Sequence, residues 1–450
     1  MLPLPDDVKK FMSVFERNDF QIYVVGGAVR DLLLGKKAES LDDNWDFTTN
    51  ATPEEILKLF PKGYYNNTYG TVGVAQKESG EKRIFEVTTF RKEAEYEDHR
   101  HPKKITWAKT VNEDLARRDL TINAMAYDGK SLIDLFDGQK HLKEKIISTV
   151  GNPDKRFAED ALRLIRTIRF ASQLGFMIDE KTKNSIQKNS SLISKVSWER
   201  IRDEFIKILA SDYPSEGIIF LHTTGLLVHI LPELDICFVI PQKSPKRHHV
   251  FDVGTHAIMS LKHCPSKDPI TRFATLIHDI GKVKTFRKDE KTRLITFYNH
   301  EVVGTKLTEK IADRFKLTNK QREKLVQLVK YHQFTVSEVI TDKAVRRFIR
   351  DIGKEYLQDM LDLRVGDRIG SGAKPTSWRL ELFKKRLIEV QKEPFKITDL
   401  KINGNDVMKV LKIKPGPQVG KILKSLFDLV VNSKLKNDRK TLLDKLITMF

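Results

Sequence analysis

A cluster of acidic side chains near the N-terminus has the composition of a metal site. Asp43, Asn44 and Asp46 lie close together, and Glu86 follows in a second segment rich in β-branched and aromatic residues. Side chains two residues apart on a strand, such as Asn44 and Asp46, point to the same face, where their oxygens can hold a divalent cation beside a triphosphate. Two-metal phosphoryl transfer needs such a cluster to activate a hydroxyl group and neutralise leaving pyrophosphate. The pattern therefore indicates phosphoryl-transfer chemistry.

A pair of glycines forms a second candidate contact with phosphate. Gly26 and Gly27 follow the apolar run 22–25 and precede Arg30. A β-branched and aromatic run that breaks into paired glycines is typical of a strand entering a tight turn. Glycines let the backbone approach a ligand closely, and the helix that follows directs free N–H groups towards a bound anion. A plain turn is the alternative interpretation.

Four charged residues further along the chain recur at intervals of three. Asp160, Arg163, Arg166 and Arg169 alternate with apolar residues, and together they are predicted to lie in one helix. Residues spaced three apart shift only gradually around the surface of a helix, so these four side chains are expected to form one polar stripe. An Asp beside an Arg offers an acceptor and planar donors to the edge of a base, and further arginines bind phosphate. A solvated, salt-bridged face is the alternative, but three aligned arginines would repel one another without an anion.

Four segments, taken in their order and spacing, resemble the bacterial tRNA nucleotidyltransferase and poly(A) polymerase family of the DNA polymerase β superfamily. They are residues 26–31, 42–49, 117–125 and 156–170, and the resemblance extends over roughly residues 20–235. In the family, the residues matching Asp160 and Arg163 act as a protein template that selects cytosine or adenine. The other positions that the resemblance assigns to nucleotide binding are Gly26, Gly27, Arg30, Arg118, Asn123, Arg166 and Arg169.

The resemblance also implies Mg²⁺ at the acidic cluster, with one departure from the family pattern. The family places two aspartates around one residue; Asp46 matches the second, whereas the first falls on Asn44. A neutral amide is a poorer ligand for a hard cation. Asp43 can substitute through a local bulge, and Glu86 is a plausible third carboxylate on a neighbouring strand. The predicted catalytic residues are therefore Asp43, Asp46 and Glu86.

A second set of potential metal-binding residues, in the C-terminal half, resembles the signature of the HD phosphohydrolase superfamily. Its signature is a distant His, an adjacent His-Asp pair, here His278 and Asp279, and a final Asp. Imidazole and carboxylate together suit cations that activate water, so a second divalent metal is expected here. A buried histidine with satisfied hydrogen bonds is the alternative. The residues that complete the signature are His256 and Asp367, and His300 and His332 fall where binuclear members place extra ligands. All of these residues are predicted to lie in helices.

Composition agrees with a nucleic-acid partner. The 450 residues include 80 Lys and Arg against 61 Asp and Glu, for a net charge of +19 and a pI near 9.5. This balance suits an RNA backbone. Cys237 and Cys264 are the two cysteines, so neither a disulfide framework nor a zinc cluster is implied. Without an apolar run of membrane-spanning length, a cytoplasmic protein that does not bind membranes is expected.

The chain is predicted to be an α+β protein with four parts. Residues 1–140 are expected to form a polymerase-β-like nucleotidyltransferase head with a mixed sheet, and 141–240 a helical neck and body for template and RNA contacts. An all-α HD domain (246–375) and a helical, tRNA-binding tail (376–450) follow, with 241–245 as a linker.

The tail also resembles that of HD-bearing tRNA nucleotidyltransferases. A polar turn near Asn403 is predicted to open one helix, and the Pro-Gly-Pro turn at 415–417 the next.

The predicted function is template-independent addition of CCA to the 3′ end of tRNA from CTP and ATP. The tRNA 3′-hydroxyl attacks the α-phosphate, and pyrophosphate leaves. A poly(A) polymerase, or an enzyme adding only CC or only A, is the alternative within the same family. An HD phosphohydrolase with a degenerate transferase head and a non-enzymatic RNA-binding protein are alternatives from other classes.

Overall fold

The chain folds into two compact units. The first comprises Met1–Ile236 with Asp313–Lys316, and the second comprises Cys237–Ala312 with Leu317–Phe450. In the described part of the chain, no helix is both long and apolar enough to cross a membrane. This computed structural model describes residues 2–41, 45–66, 70–78, 81–92, 106–242, 251–391, 397–431 and 434–449.

A seven-stranded mixed sheet organises the first unit, as predicted. The described strands of this unit are β1 (Ile22–Val25), β2 (Asp46–Thr49), β3 (Tyr64–Asn66), β4 (Thr71–Glu78), β5 (Glu81–Thr89), β6 (Arg91–Lys92), β7 (Thr106–Trp107), β8 (Met125–Tyr127), β9 (Leu132–Asp134), β10 (Ile146–Ile147) and β11 (Met177–Ile178). The order in the sheet is β3-β4-β5-β2-β1-β8-β9, with β2 and β5 parallel and the other neighbours antiparallel. The short strands pair as β6–β7 and β10–β11.

Helices cover this sheet and continue beyond it. They are α1 (Asp6–Glu16), α2 (Gly27–Leu33), α3 (Pro53–Leu59), α4 (Val111–Ala116), α5 (Gly138–Glu144), α6 (Pro153–Glu159), α7 (Leu162–Leu174), α8 (Glu180–Asn189), α9 (Trp198–Ala210), α10 (Pro214–Thr223), α11 (Leu227–Ile230) and α12 (Pro232–Asp235). Helix α1 packs on the sheet through Phe11, whose ring centroid lies 4.9 Å from that of Phe47 and 5.0 Å from that of Phe85. Because Phe47 and Phe85 lie beside the acidic residues of β2 and β5, this packing fixes the strands that carry the predicted metal site.

The prediction that Asp160 shares one helix with the three arginines is wrong. The chain breaks between α6 and α7, and Asp160 has extended backbone angles (φ −140°, ψ 106°). One carboxylate oxygen of Asp160 accepts the Leu162 N–H at 3.0 Å. A short acidic side chain that binds nearby backbone favours such a break over a helix interior. The predicted stripe therefore consists of three arginines, with Asp160 outside the helix.

The second unit is mainly helical. Its elements are α13 (Val253–Lys262), α14 (Pro269–Ile277), α15 (Lys282–Thr285), β12 (Arg287–Lys288), β13 (Ile295–Thr296), α16 (His300–Arg314), α17 (Asn319–Tyr331), α18 (Asp342–Ile352), α19 (Leu357–Gly370), α20 (Trp378–Val390), α21 (Gly404–Leu411), α22 (Pro417–Val431) and α23 (Arg439–Met449). The antiparallel pair β12–β13 shows that the expectation of an all-α region over 246–375 is wrong in this detail. Of the predicted linker, Gln242 is buried against Lys282, and 243–245 lie outside the described residues.

The tail has its own apolar core and the predicted helix starts. The Asn403 side chain accepts the N–H groups of Asn405 and Asp406 at the start of α21, and Pro417 opens α22. Buried apolar residues from 400 to 446 form one cluster. Both turn predictions are confirmed, because each was based on a local capping preference.

Candidate functional site

A glycine turn brings the first strand against two charged side chains. Gly26 links β1 to α2 at φ +70°, a conformation that residues with a Cβ rarely adopt. A Cβ placed on Gly26 would lie 3.5 Å from Oδ2 of Asp46 and 3.5 Å from Nη1 of Arg118. The turn, the acidic strand and the Arg-Arg-Asp segment therefore meet at one point. The sequence predicted each of these segments, and the structure brings them together.

Two carboxylates lie side by side at this point. Asp46 is the first residue of β2, remains accessible to solvent, and pairs in register with Glu86 of β5. The surrounding protein still displaces much of the water near the carboxylate of Asp46, and this desolvation raises its pKa. Arg118 lowers the pKa and Glu86 raises it, and the net shift is upwards. Glu86 thus occupies the neighbouring strand, as predicted. Asp43 and Asn44 lie outside the described residues.

A buried aspartate that the sequence argument missed holds the arginines of this site. Asp114 is fully buried; its carboxylate accepts hydrogen bonds from Arg117 Nη2 at 2.6 Å, Arg118 Nη2 at 3.2 Å and Thr48 Oγ1 at 3.3 Å. It also accepts the Arg91 N–H at 3.2 Å. Burial alone would raise the pKa of Asp114, but Arg117 and Arg118 lower it below its usual value. The three- and four-residue spacing from Asp114 to the two arginines, typical of helical ion pairs, was an available signal.

Arg30 and Asn123 complete the surroundings of the turn. Nη1 of Arg30 donates to Oδ1 of Asn123 at 2.9 Å, and Nε of Arg30 donates to Asp31 at 2.9 Å. Nη1 of Arg118 donates to the Asn123 carbonyl at 3.4 Å. The predicted residues that come together here are Gly26, Gly27, Arg30, Asp46, Glu86, Arg118 and Asn123.

The three arginines of α7 have carboxylate partners within the protein. Arg166 contacts Asp119 at 2.7 Å, and Arg169 contacts Glu204 at 2.5 Å. Arg163 contacts Glu159 at 2.5 Å. The argument that these arginines need a bound anion to offset their repulsion is therefore wrong.

Asp119 gains a strongly lowered pKa from this arrangement. Burial would raise the pKa of its carboxyl, but Arg166 and Arg163 lower it to about 2.

An aromatic ring connects α7 to the glycine turn. The guanidinium carbons of Arg169, Arg30 and Arg166 lie 3.8, 5.3 and 5.7 Å from the centroid of the Phe170 ring. These distances are within cation–π range. Phe170, which the sequence argument did not single out, thus places two of the predicted phosphate-binding arginines next to Arg30.

Asp160 and Arg163, the predicted base-selecting pair, are not paired with each other. The second carboxylate oxygen of Asp160 accepts from Arg200 of α9 at 2.9 Å. Arg163 instead contacts Glu159 and donates to the Arg117 carbonyl at 3.1 Å. Helix α9 therefore contributes to the position of Asp160, a contact that local sequence spacing cannot reveal.

The second unit contains a cluster of imidazoles around Asp279. Oδ2 of Asp279 lies 3.4 Å from Nε2 of His256 and 3.3 Å from Nε2 of His278, and its Oδ1 lies 3.1 Å from Nε2 of His300. Nε2 of His332 is 3.7 Å from the same Oδ1. Two sets of possible metal ligands thus share Asp279. The final predicted member, Asp367 on α19, lies 3.3 Å from His256 and 3.6 Å from His278.

Backbone hydrogen bonds orient three of these imidazoles towards the cluster. Nδ1 of His278, His300 and His332 lies 2.8, 2.8 and 2.6 Å from the carbonyls of Thr275, Phe297 and Val329. A ring that donates from Nδ1 presents its Nε2 lone pair to the cluster, which is the usual second-sphere arrangement of a ligand histidine. This shared orientation favours a metal site over separate core histidines. The expectation that all the ligands lie in helices is wrong, because His278, Asp279 and His332 lie just beyond helix ends.

The charge of the cluster also suits a cation. Burial would lower the pKa of His278, but Asp279 and Asp367 raise it to about 10. Lys282 donates to Oδ2 of Asp279 at 2.6 Å and to Gln242 at 2.6 Å. Cations and protons compete for the same negative pocket at such a site.

Models of known families match successive parts of the chain. The poly A polymerase head domain matches residues 22–148, and "Probable RNA and SrmB- binding site of polymerase A" matches residues 175–237. A model of tRNA nucleotidyltransferase domain 2 matches residues 285–446. The CCA-adding enzyme of Ligilactobacillus salivarius is 31% identical over 446 residues, which cover 98% of this chain and 96% of that protein. This chain belongs to the CCA-adding enzyme family.

Other members of the CCA-adding enzyme family support the same relationship. The CCA-adding enzyme of Lactococcus lactis subsp. cremoris is 31% identical over 456 residues, covering 99% of this chain and 98% of the relative. The structure of the Bacillus stearothermophilus CCA-adding enzyme in complex with CTP is similar with a TM-score of 0.69 at 25% identity, over 99% of this chain and 98% of that one. The Thermotoga maritima CCA-adding enzyme complexed with tRNA_CCA shares the fold, with a TM-score of 0.61 at 20% identity over 99% of this chain and 96% of that one.

The matched family models cover the cluster at the glycine turn completely but only part of the His/Asp cluster. The head model spans the glycine turn, Asp46, Glu86 and Arg118. The model of domain 2 begins at residue 285, after His256, His278 and Asp279. The cluster at the glycine turn therefore lies inside a matched region, whereas half of the His/Asp cluster precedes the domain 2 match.

Proposed function

We propose that this nucleotidyltransferase adds C, C and A to the 3′ end of tRNA, using CTP and ATP and releasing pyrophosphate. The observation that carries the proposal is the meeting of the glycine turn, Asp46 and Arg118 within 3.5 Å of one point. Two full-length relatives at 31% identity that are named CCA-adding enzymes support this product over a poly(A) tail. The net charge of +19 fits a polyanionic RNA substrate.

The residues of the head fit a divalent cation and a triphosphate. Asp46 and Glu86 are neighbouring carboxylates on parallel strands, a donor set that suits Mg²⁺. A bound Mg²⁺ supplies Lewis-acid stabilisation of phosphate charge. Arg118, held by the buried Asp114, and Arg30, held by Asn123, are positioned as donors for phosphate oxygens. Asp43 and Asn44 precede Asp46, and we propose Asp43 as a further ligand.

Base selection is proposed for Asp160 and Arg163. Asp160 lies at the break before α7, where Leu162 and Arg200 fix its two oxygens. Arg163 stays on the first turn of α7 with its guanidinium anchored by Glu159. A carboxylate and a guanidinium held so firmly offer a preorganised acceptor and donor pair to a base edge. Arg166 and Arg169 are proposed to contact the phosphates and sugar.

The His/Asp cluster is proposed as a second divalent-metal site within an HD domain at 246–375, between a body at 141–240 and a tail at 376–450. Its ligands are His256, His278, Asp279 and Asp367 at one position, with His300 and His332 sharing Asp279 at another. The set of imidazoles and carboxylates suits Mn²⁺-, Fe- or Mg²⁺-type ions.

The addition reaction is tested with tRNA that lacks its last three nucleotides. Purified protein, labelled CTP, labelled ATP and Mg²⁺ are incubated with this RNA, and the products are sized and sequenced. Addition of two C residues followed by one A is the expected outcome, and Asp46→Asn is expected to abolish it. Long A tails would replace the proposal with poly(A) synthesis. Phosphate release without incorporation would favour a hydrolase.

A further inference from the structure

A cavity of about 530 Å³ opens in the second unit. Gln333 and Phe334, which follow α17, line one part of it, and residues of α19 and α20 line the rest. Its volume is in the range of cavities that hold small ligands. The site is separate in sequence from the glycine turn and from the segments that carry the transferase chemistry.

Three arginines give this cavity a positive charge. They are Arg364 and Arg368 of α19 and Arg379 of α20. Among the described residues that line the cavity, none is acidic. Arg379 contacts Glu338 at 3.2 Å and Arg364 contacts Asp367 at 3.5 Å, whereas the hydrogen bonds of Arg368 go to backbone carbonyls.

The arginines are held in place by contacts that leave them able to donate. Arg368 donates to the carbonyls of Lys374 at 3.0 Å and Thr376 at 3.3 Å, which orient its guanidinium without neutralising it. The guanidinium carbon of Arg364 lies 5.2 Å from the centroid of the Phe334 ring. Side chains fixed in this way lose little freedom when an anion binds, so the site is preorganised.

Arg364 also joins the cavity to the His/Asp cluster. Its Nη1 lies 3.5 Å from Oδ2 of Asp367, whose other oxygen faces His256 and His278. Gln333, which also lines the cavity, directly follows His332. An anion in the cavity is therefore a neighbour of the cluster.

We propose that this cavity binds a phosphate group through Arg364, Arg368 and Arg379. The group is either free phosphate or the terminal phosphate of a monoester, since both present the same dianionic oxygens. Planar guanidinium groups match phosphate oxygens in bidentate pairs. A dianion also balances several guanidinium charges better than a singly charged carboxylate does. The proposal needs no metal in the neighbouring cluster.

The test is equilibrium dialysis of the full-length protein against [³²P]orthophosphate, and separately against ribose 5-[³²P]phosphate, in EDTA. The variant Arg364→Gln/Arg379→Gln removes two of the three donors. Arg350→Gln is the matched control, because Arg350 on α18 is 71% exposed, is ion-paired with Asp351 and does not line the cavity. Wild type, the double variant and Arg350→Gln share the same head, so any phosphate bound there contributes equally to all three. A difference in phosphate binding among them therefore measures binding in the cavity.

The double variant is expected to bind phosphate at least tenfold more weakly than wild type, and Arg350→Gln to bind it unchanged. Tighter binding of ribose 5-phosphate than of orthophosphate identifies a monoester ligand, and equal binding identifies the phosphate group alone. Equal binding by the double variant and wild type, or an equal loss in Arg350→Gln, overturns the proposal. Arg379→Gln alone, at a side chain that is 53% exposed, repeats the test without risk to folding. CCA addition by the same variants is measured separately and is expected to persist.

Discussion

At the scale of single residues, Asp114 has the largest consequence for the cluster at the glycine turn, which we propose binds the nucleotide. It is a buried carboxylate that holds Arg117 and Arg118 and also binds Thr48 on the strand of Asp46. Removing one member of a buried ion pair leaves an uncompensated charge and is strongly destabilising, by about 3–5 kcal/mol. An amide at this position keeps the shape but not the charge.

Asp114→Asn is expected to lower kcat/KM for CTP at least tenfold, because Arg118 loses the group that aims it at phosphate. Steady-state kinetics measures this, and thermal unfolding measures the accompanying loss of stability. Asp6→Asn is the control, since the Asp6 side chain is 84% exposed and pairs with an exposed lysine. Unchanged kinetics in Asp114→Asn would show that Arg118 does not depend on this carboxylate.

Asp119 gives a pH dependence of stability. Its pKa of about 2 in the folded protein lies below the ordinary value of 3.8, chiefly through Arg166 acting against burial. Because folding lowers this pKa, the ionised Asp119 carboxylate stabilises the folded protein. This contribution to the free energy of unfolding is fully present above pH 4 and is lost as the pH falls from 4 towards 2. The difference corresponds to about 2 kcal/mol.

We therefore expect Asp119→Asn to be less stable than wild type at pH 7 and the gap to narrow below pH 4. Unfolding midpoints of both proteins across this pH range provide the measurement. A gap that stays constant down to pH 2 would contradict the role given to the Asp119–Arg166 pair.

At the scale of elements, the turn between β1 and α2 depends on its first glycine. Gly26 has φ +70°, and Gly35, just after α2, has φ +81° with open space around it. Alanine at either position meets backbone strain of about 1–3 kcal/mol. Only Gly26 lies against Asp46 and Arg118.

Gly26→Ala is expected to reduce both stability and CCA addition, whereas Gly35→Ala is expected to reduce stability alone. Incorporation of labelled CTP and thermal unfolding of the two variants separate these effects. Equal activity of the two variants would show that the turn is structural rather than part of the nucleotide site.

Turns and helix starts that are determined by neighbouring residues were predictable from the sequence. The strand–glycine turn, the cap at Asn403 and the start of α22 at Pro417 each follow from residues within a few positions. The break at Asp160 was missed, because its charge fitted a three-residue repeat while its side chain caps the next helix. Asp114 was missed for another reason: Thr48 and Arg91, two of its partners, come from distant strands.

At the scale of the whole molecule, two clusters lie in separate units of the chain. The glycine turn with Asp46 belongs to the first unit, and the His/Asp cluster belongs to the second. The resemblance to the HD phosphohydrolase superfamily predicted these His and Asp residues as ligands, but only the fold shows that Asp279 is common to two candidate sets.

Asp279→Asn is expected to remove divalent metal from the second unit while CCA addition persists. Metal content after loading with Mn²⁺ and dialysis, measured by elemental analysis, is expected to fall from up to two ions to none in that unit. His263→Gln, in which the replaced histidine follows α13 and lies outside both ligand sets, is the control. Full metal retention in Asp279→Asn would contradict the assignment of this cluster as a metal site.

The most direct measurement is a crystal structure of the protein with CTP and Mg²⁺. The account predicts a triphosphate between the Gly26–Gly27 turn and Arg118, with cation density at Asp46 and Glu86. Well-defined CTP at a different place, with Asp46 and Arg118 free of nucleotide and metal, would contradict it.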